Sequence, residues 1–358
     1  MSVDPILALL SDRLLMATVG VYVLAIALLS AAYAAARSIP GARPADAAAP
    51  ADTTARTALS HTPTVRTALS HTPSVRTGRS YSEGAGGEAR SCSYSGGAGG
   101  GARSRSYSGG ARSRPERLGR MGVALAALGV GLHAGSLVAR GLATGRWPLG
   151  NMYEFTSAIC LAAVVAWLVV LRRSPGLRPV GPFVLLPVVV LLFLAGTVLY
   201  AQAAPVQPAL QSYWLVVHVT TICLSSGMLL VAGVASLLYL LRRSGLGAGL
   251  AERLPAADVL DRLAYRVTIV AFPIYTFAVM AGAIWAEAAW GRFWGWDPKE
   301  TVAFVAWVVY AAYLHARATA GWRTGGAAWI NVAGFAVIAF NLFFINMVVA
   351  GLHSYAGI

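Results

Sequence analysis

Eight stretches of apolar residues, each long enough to cross a bilayer, constrain this chain more than any other feature. They fall at about 14–36, 119–139, 153–171, 180–200, 213–241, 264–286, 300–318 and 327–350. About 20 apolar residues are needed to span roughly 30 Å of hydrocarbon as a helix. Backbone polar groups in lipid must be satisfied within the segment, which leaves helices or a closed barrel, and runs of this length favour helices. The expected fold is all-α: a polytopic transmembrane helix bundle of about eight spans with an external tryptophan-rich segment. Only 12% of the residues are charged, against about 25% in a soluble domain.

The net charge of +14 would suggest nucleic acid in a soluble chain. Here the arginines gather in a few loops between spans, as expected where charge sets orientation in a membrane, so no nucleic-acid partner is expected. Arg112, Arg114, Arg117 and Arg120, then Arg172, Arg173 and Arg178, then Arg242, Arg243, Arg253, Arg262 and Arg266, then Arg317 and Arg323 lie at alternate ends of successive spans. Placing them all in the cytoplasm gives a consistent multi-pass topology in the cell (plasma) membrane, with both termini external. The loops 140–152 and 201–212, the tryptophan segment and the C-terminal Gly351–Ile358 are then external too. Asp4 and Asp12 flank a weak start with no small-residue cleavage site, so a cleavable signal is not expected.

The chain divides into a first transmembrane span, 1–36, an insert, 37–117, and a transmembrane domain, 118–358. The insert carries the decapeptide repeat beginning at Arg56 and again at Arg66, then Ser-Tyr-Ser-Gly-Gly at 93–97 and 106–110. Composition rich in Arg, Gly and Ser cannot bury a core, and a disordered cytoplasmic segment is expected. His61 and His71 belong to the repeat and read as solvent-exposed bystanders. Cys92, Cys160 and Cys223 are far apart and form no Cys-x-x-Cys, so neither a redox dithiol nor a zinc site is expected.

Residues 285–300 read Trp-Ala-Glu-Ala-Ala-Trp-Gly-Arg-Phe-Trp-Gly-Trp-Asp-Pro-Lys-Glu. They hold four of the chain's ten tryptophans and its only lysine, Lys299. Membrane proteins normally scatter tryptophan along both interfaces; rings this dense, with glycines between them, suggest an aromatic platform for a flat apolar ligand. Asp297-Pro298-Lys299-Glu300 also has the form of a helix start, with an Asp cap, Pro at the first helical position and Glu behind it. Arg292 and Lys299 are the cations beside the platform.

Four histidines lie in the membrane domain. His218 sits about five residues inside the external start of the fifth span, and His353 follows the external end of the last. The topology brings both to the face carrying the tryptophans, where two neutral imidazoles across a gap would suit axial ligation of a haem iron. The plainer reading of each is an interfacial histidine bonded to a headgroup or a carbonyl. His315 lies in the cytoplasmic half of the seventh span, and an ionisable group at such depth is a functional candidate; a helix-to-helix hydrogen bond is its alternative. His133 reads as a structural hydrogen bond between helices.

Trp290, Gly291, Trp294, Trp296, Asp297, Pro298, Lys299 and Glu300 resemble the tryptophan-rich signature of the haem-handling proteins of System II cytochrome c biogenesis. Arg146–Glu154 resembles that family's external loop ending in Asn-x-Tyr-Glu. The resemblance implies that His218 and His353 ligate haem at the outer face and that His315 binds it earlier, within the membrane. It implies haem b held at the outer tryptophan platform as a transported substrate; the rings would cover the porphyrin, and Arg292 and Lys299, as the cations beside the platform, are candidates for pairing its propionates. Thioether bonds then form to the Cys-x-x-Cys-His motif of apocytochrome c. A second System II membrane subunit of the ResB type, and a thiol-disulfide reductase that keeps the substrate thiols reduced, are the implied partners. No catalytic acid or base stands out. A haem exporter delivering to a chaperone and a b-type electron-transfer cytochrome are the rival functions.

Overall fold

The computed structural model describes residues 3–35, 113–205, 211–245, 249, 253–319, 322 and 325–353. The insert expected at 37–117, but for its last residues, and the C-terminal residues beyond 353 lie outside them. Among the described residues there is no strand. Eight helical spans are long and apolar enough to cross a membrane.

These are α1 (Pro5–Ala35), α2 (Arg114–Thr144), α3 (Met152–Arg173), α4 (Gly181–Thr197), α5 (Tyr213–Ser244), α6 (Ala257–Trp290), α7 (Pro298–Ala318) and α8 (Gly325–Phe340). A 3-10 turn, Pro175–Val180, leads into α4, and α8 continues through a π turn, Asn341–Ile345, to a last short helix, α9 (Asn346–Val348). Pro187 and Pro273 lie inside α4 and α6.

Helix starts and stops follow local chemistry. Asn151 caps α3 by accepting from the Glu154 amide at 2.9 Å, and the Ser212 hydroxyl caps α5. Each satisfies a donor that the first helical turn leaves over. Several helices begin earlier than their apolar runs, α1 and α6 by the most. Asp4 accepts from the amides of Ile6 and Leu7, so α1 opens at Pro5. α6 opens at Ala257, its first turns carrying an Asp258–Arg262 pair at 2.6 Å. Hydropathy marks the part of a helix in lipid, while caps and ion pairs carry it further.

Close packing positions the bundle. α1 lies on α2, where Gly122 and Gly129 admit the side chains of Leu29 and Tyr22. α5 packs on both α3 and α6. At Gly227 an added Cβ would sit 2.7 Å from the Ile159 carbonyl, so α3 and α5 are almost in backbone contact. One core cluster joins Trp167, Val184, Leu192, Leu230 and Leu260. A second, of Met152, Ile159, Leu215, Val219, Trp285 and Leu342, lies around the candidate site.

The Asp4 amide bonds the Ala143 carbonyl at 2.9 Å. The start of α1 therefore sits beside the end of α2, and successive spans alternate from there. The connections 145–151, 198–205 and 291–297 and the segment 349–353 share one end of the bundle, linked by bonds of Arg140 to Ala201, Arg146 to Ala204 and Asp297 to Leu352. Arg172, Arg173, Arg242, Arg243 and Arg317 lie in the last turns of helices that end at the opposite pole.

Candidate functional site

α6 ends at Trp290, and Gly291 adopts φ 71°, a left-handed C-cap that glycine enters without a Cβ penalty. The chain then crosses from α6 to α7 in seven residues, 291–297, whose geometry is set largely by one carboxylate. Glu300 accepts from the Gly295 amide at 2.9 Å and the Asp297 amide at 3.2 Å, and pairs with Arg292 at 3.4 Å. Trp296 holds φ 57°, an uncommon conformation for a bulky residue that needs such surroundings to persist. It stands exposed, edge-on to Trp294 with ring centroids 5.8 Å apart.

Asp297 forms the capping box of α7 together with Glu300. The same carboxylate also reaches the C-terminal segment. Its Oδ2 accepts from His353 Nδ1 at 2.8 Å, and its Oδ1 accepts from the Leu352 amide at 2.8 Å. That segment is thereby pinned to the start of α7. Burial alone would raise this carboxyl, but the Leu352 amide, His353 and the Lys299 amide together hold it below the usual aspartate value. For His353, burial comes first and the nearby Lys299 cation second; both push its pKa below the usual histidine value, against the opposing pull of Asp297. The ring is therefore neutral at pH 7.

His218 lies in the second turn of α5. Its Nδ1 bonds the carbonyl of Ala278 on α6 at 2.7 Å. A carbonyl can only accept, so Nδ1 carries the proton and Nε2 the lone pair. Asp297 fixes the same tautomer in His353. An imidazole whose Nδ1–H is held by a carbonyl or carboxylate is the usual arrangement of a metal-ligating histidine. The donor set thus fits an iron that accepts two Nε2 atoms.

Trp285 lies between the two. Its indole is parallel to the His218 ring (6.2 Å, 9°) and meets the edge of His353 (5.7 Å, 63°). Trp290 approaches His353 at 4.9 Å and Trp285 at 4.8 Å. A cavity of about 170 Å³ opens here, lined by His218, His353, Trp285, Trp294, Lys299 and Phe155 among others. It continues down α6 from Ala286 to Tyr275, a depth of about 16 Å at 1.5 Å per residue.

Of the residues singled out in the sequence, His218, His353, Trp290, Trp294, Asp297 and Lys299 converge here. Arg292 stacks on Trp290 at 5.7 Å and is paired with Glu300. His315 is not brought to them. It lies exposed in the last turn of α7, about 24 Å along the helix from Lys299. Two residues on, Arg317 makes a bidentate pair with Asp261 at 2.9 and 2.8 Å and stacks on Tyr265. His133 is fully buried, bonds Ser157 at 2.8 Å and so ties α2 to α3.

Sequence reasoning missed the ion network beneath the 146–154 loop. Glu154, fully buried, accepts from Arg140 Nε at 3.0 Å, from both terminal nitrogens of Arg146 and from the Gly150 amide. Arg140 also reaches Asp12 at 3.6 Å. This network holds the loop whose residues 149–152 form one wall of the cavity. The available signal was Arg146 and Glu154 standing at the two ends of one short loop.

Residues 149–353 match the family described as cytochrome C assembly protein. The chain belongs to this family. The match takes in every cavity-lining residue named above, leaving α1 and α2 ahead of it. The chain is also 37% identical over 272 residues to the cytochrome c biogenesis protein CcsA of Synechococcus sp. (strain RCC307), covering 68% of this chain and 86% of that one. The protein of that name from Parasynechococcus marenigrum (strain WH8102) is 36% identical, covering 65% and 84%. That from Synechococcus elongatus is 34% identical, covering 66% and 87%. As a cytochrome c assembly protein with eight spans able to cross a membrane, the chain is a multi-pass membrane protein that serves cytochrome c biogenesis.

Proposed function

We propose that this chain is the haem-handling subunit of a System II cytochrome c synthase. In this reading it carries haem b to the outer face of the plasma membrane and holds it there for attachment to apocytochrome c. The observation that carries the reading is the pair His218 and His353: two imidazoles lining one cavity, each with its Nδ1 bonded to a carbonyl or carboxylate oxygen, as metal-ligating histidines usually are.

The protein's part is binding and orientation. His218, fixed to α6, and His353, fixed to the α7 cap, hold the substrate's iron from two sides, and two imidazoles favour a stable low-spin centre. Trp290, Trp294 and Trp296 cover the ring and keep water from it. Attachment itself is an addition: a substrate thiol gives its sulfur to one vinyl carbon and its proton to the other, with no net redox change. No side chain here need act as acid or base. Holding vinyl against thiol can contribute about 7–11 kcal/mol in well-oriented cases.

His315, far from this pair on an exposed flank of α7, is the ligand for haem on its way out, with its counterpart supplied by the second membrane subunit. Apocytochrome c and a thiol-disulfide reductase complete the partners. The termini and the tryptophan segment face outward, and 118–358 is the haem-handling domain.

Co-expression with the second subunit and an apocytochrome tests the whole. Covalent holocytochrome together with a bis-imidazole spectrum of the purified complex supports the proposal. Haem passed to a chaperone without thioether bonds would make the chain an exporter instead.

A further inference from the structure

We propose that Lys299 is the carboxylate-reading group of this cavity: it selects tetrapyrroles with free propionates and turns that edge of the ring towards itself. This rests on the haem reading above and separates Lys299 from Arg292, which the sequence offers on equal terms.

Lys299 is the second residue of α7, half-buried, and lines the cavity together with His218 and His353. Its Nζ donates to Asn346 Oδ1 at 2.5 Å. The Asn346 amide is oriented by the π turn before it, since its Nδ2 donates to the carbonyls of Asn341 at 3.1 Å and Leu342 at 2.7 Å. The oxygen is therefore the atom turned to the lysine. One face of the ammonium also looks onto the Phe155 ring, 5.8 Å away.

An ammonium has three donors and needs a countercharge when desolvated. Among the described residues, no carboxylate lies within ion-pair distance of Lys299 Nζ. The two nearby acids are committed elsewhere. Asp297 serves His353, the Leu352 amide and the Lys299 backbone amide. Glu300 serves Arg292 and the amides of Gly295 and Asp297. Arg292, by contrast, already has its carboxylate and its aromatic face.

A second observation points the same way. The indole N–H of Trp294, another cavity-lining residue, is buried with no acceptor among the described residues. An unmatched cation and an unmatched donor at one apolar cavity suit a ligand that is largely flat and apolar but carries acceptor oxygens and negative charge at its rim. A porphyrin with propionates has that form. Its vinyl groups sit on the edge opposite the propionates, so anchoring the carboxylates at Lys299 directs the vinyl edge away from it.

The test is a titration of the purified full-length complex with haem and with haem dimethyl ester, followed by Soret absorbance. Wild type should bind the diester at least tenfold more weakly. Lys299→Met should bind both equally, at the weaker level, while keeping the low-spin spectrum given by its two histidines. Lys299→Arg should restore discrimination, showing that charge rather than fold was lost. Equal binding of the two compounds by wild type overturns the proposal without any variant. So does a Lys299→Met protein that still discriminates. If wild type binds neither compound, the haem reading itself falls.

Discussion

A Cβ on Gly282 would lie 2.7 Å from both Cε1 and Nδ1 of the His218 imidazole. The glycine on α6 makes room for the histidine of α5, one turn from the Ala278 carbonyl that fixes its tautomer. Gly282→Ala should push the ring off this seat. About 10- to 100-fold weaker haem binding is expected, the usual range when an orienting partner of a ligand is lost. Free imidazole should restore the low-spin spectrum. A Gly282→Ala protein with unchanged affinity and spectrum would show that the ring's position is not set there.

Asp297 orients His353 and also raises its proton affinity, against burial and the Lys299 cation, which lower it. The net shift is downward, so protons compete for Nε2 only below the usual histidine pKa of about 6.5. The bis-imidazole spectrum should hold through pH 6.5 and fade at more acid pH. In Asp297→Asn the carboxylate's upward pull is gone. The pKa of the His353 imidazole in the haem-free protein should move lower still, while haem affinity at neutral pH drops about 10-fold or more. A His353 pKa that rises in this variant, read by NMR titration of the haem-free protein, would contradict the assignment.

The buried network of Glu154, Arg140 and Arg146 makes a stability prediction. Glu154→Ala takes from Arg140, 1% exposed, its shorter carboxylate partner and leaves only Asp12 at 3.6 Å, a change costing up to about 3–5 kcal/mol. Replacing Glu154 and Arg140 together by Leu should cost less than Glu154→Ala alone. A denaturation midpoint unchanged in Glu154→Ala would mean that solvent reaches these charges.

The eight spans were legible because lipid demands long apolar runs, and hydropathy reports that demand directly. The starts of α1 and α6 were not, because Asp4 capping and the Asp258–Arg262 pair extend helices past their apolar part. His218 and His353 could be assigned to one end from the alternation of spans alone. The capping of α7 by Asp297 was also readable, since a cap is local in sequence. Its bond to His353 was not, because the two are 56 positions apart and nothing in either local pattern requires the other. The same holds for Gly282, whose meaning exists only once α5 lies against α6, and for Arg140, whose partners come from two other helices and one loop. Lys299 and Arg292 looked alike as cations on one segment; packing gave one an amide and the other a carboxylate.

Orientation is open to direct test. Reporter fusions or single-cysteine labelling at Gly176 should report the cytoplasm, and at Gly291 the exterior. External labelling at Gly176 would refute the assignment of the arginine-rich pole to the inside.

The central claim is that His218 and His353 hold one haem between them. Its most direct test is the absorbance spectrum and haem content of the complex with His218→Gly and with His353→Gly, each recorded before and after adding imidazole. Each variant should lose most of its outer haem and recover the low-spin spectrum when free imidazole fills the missing position. Full haem content with an unaltered spectrum in both variants would contradict the account.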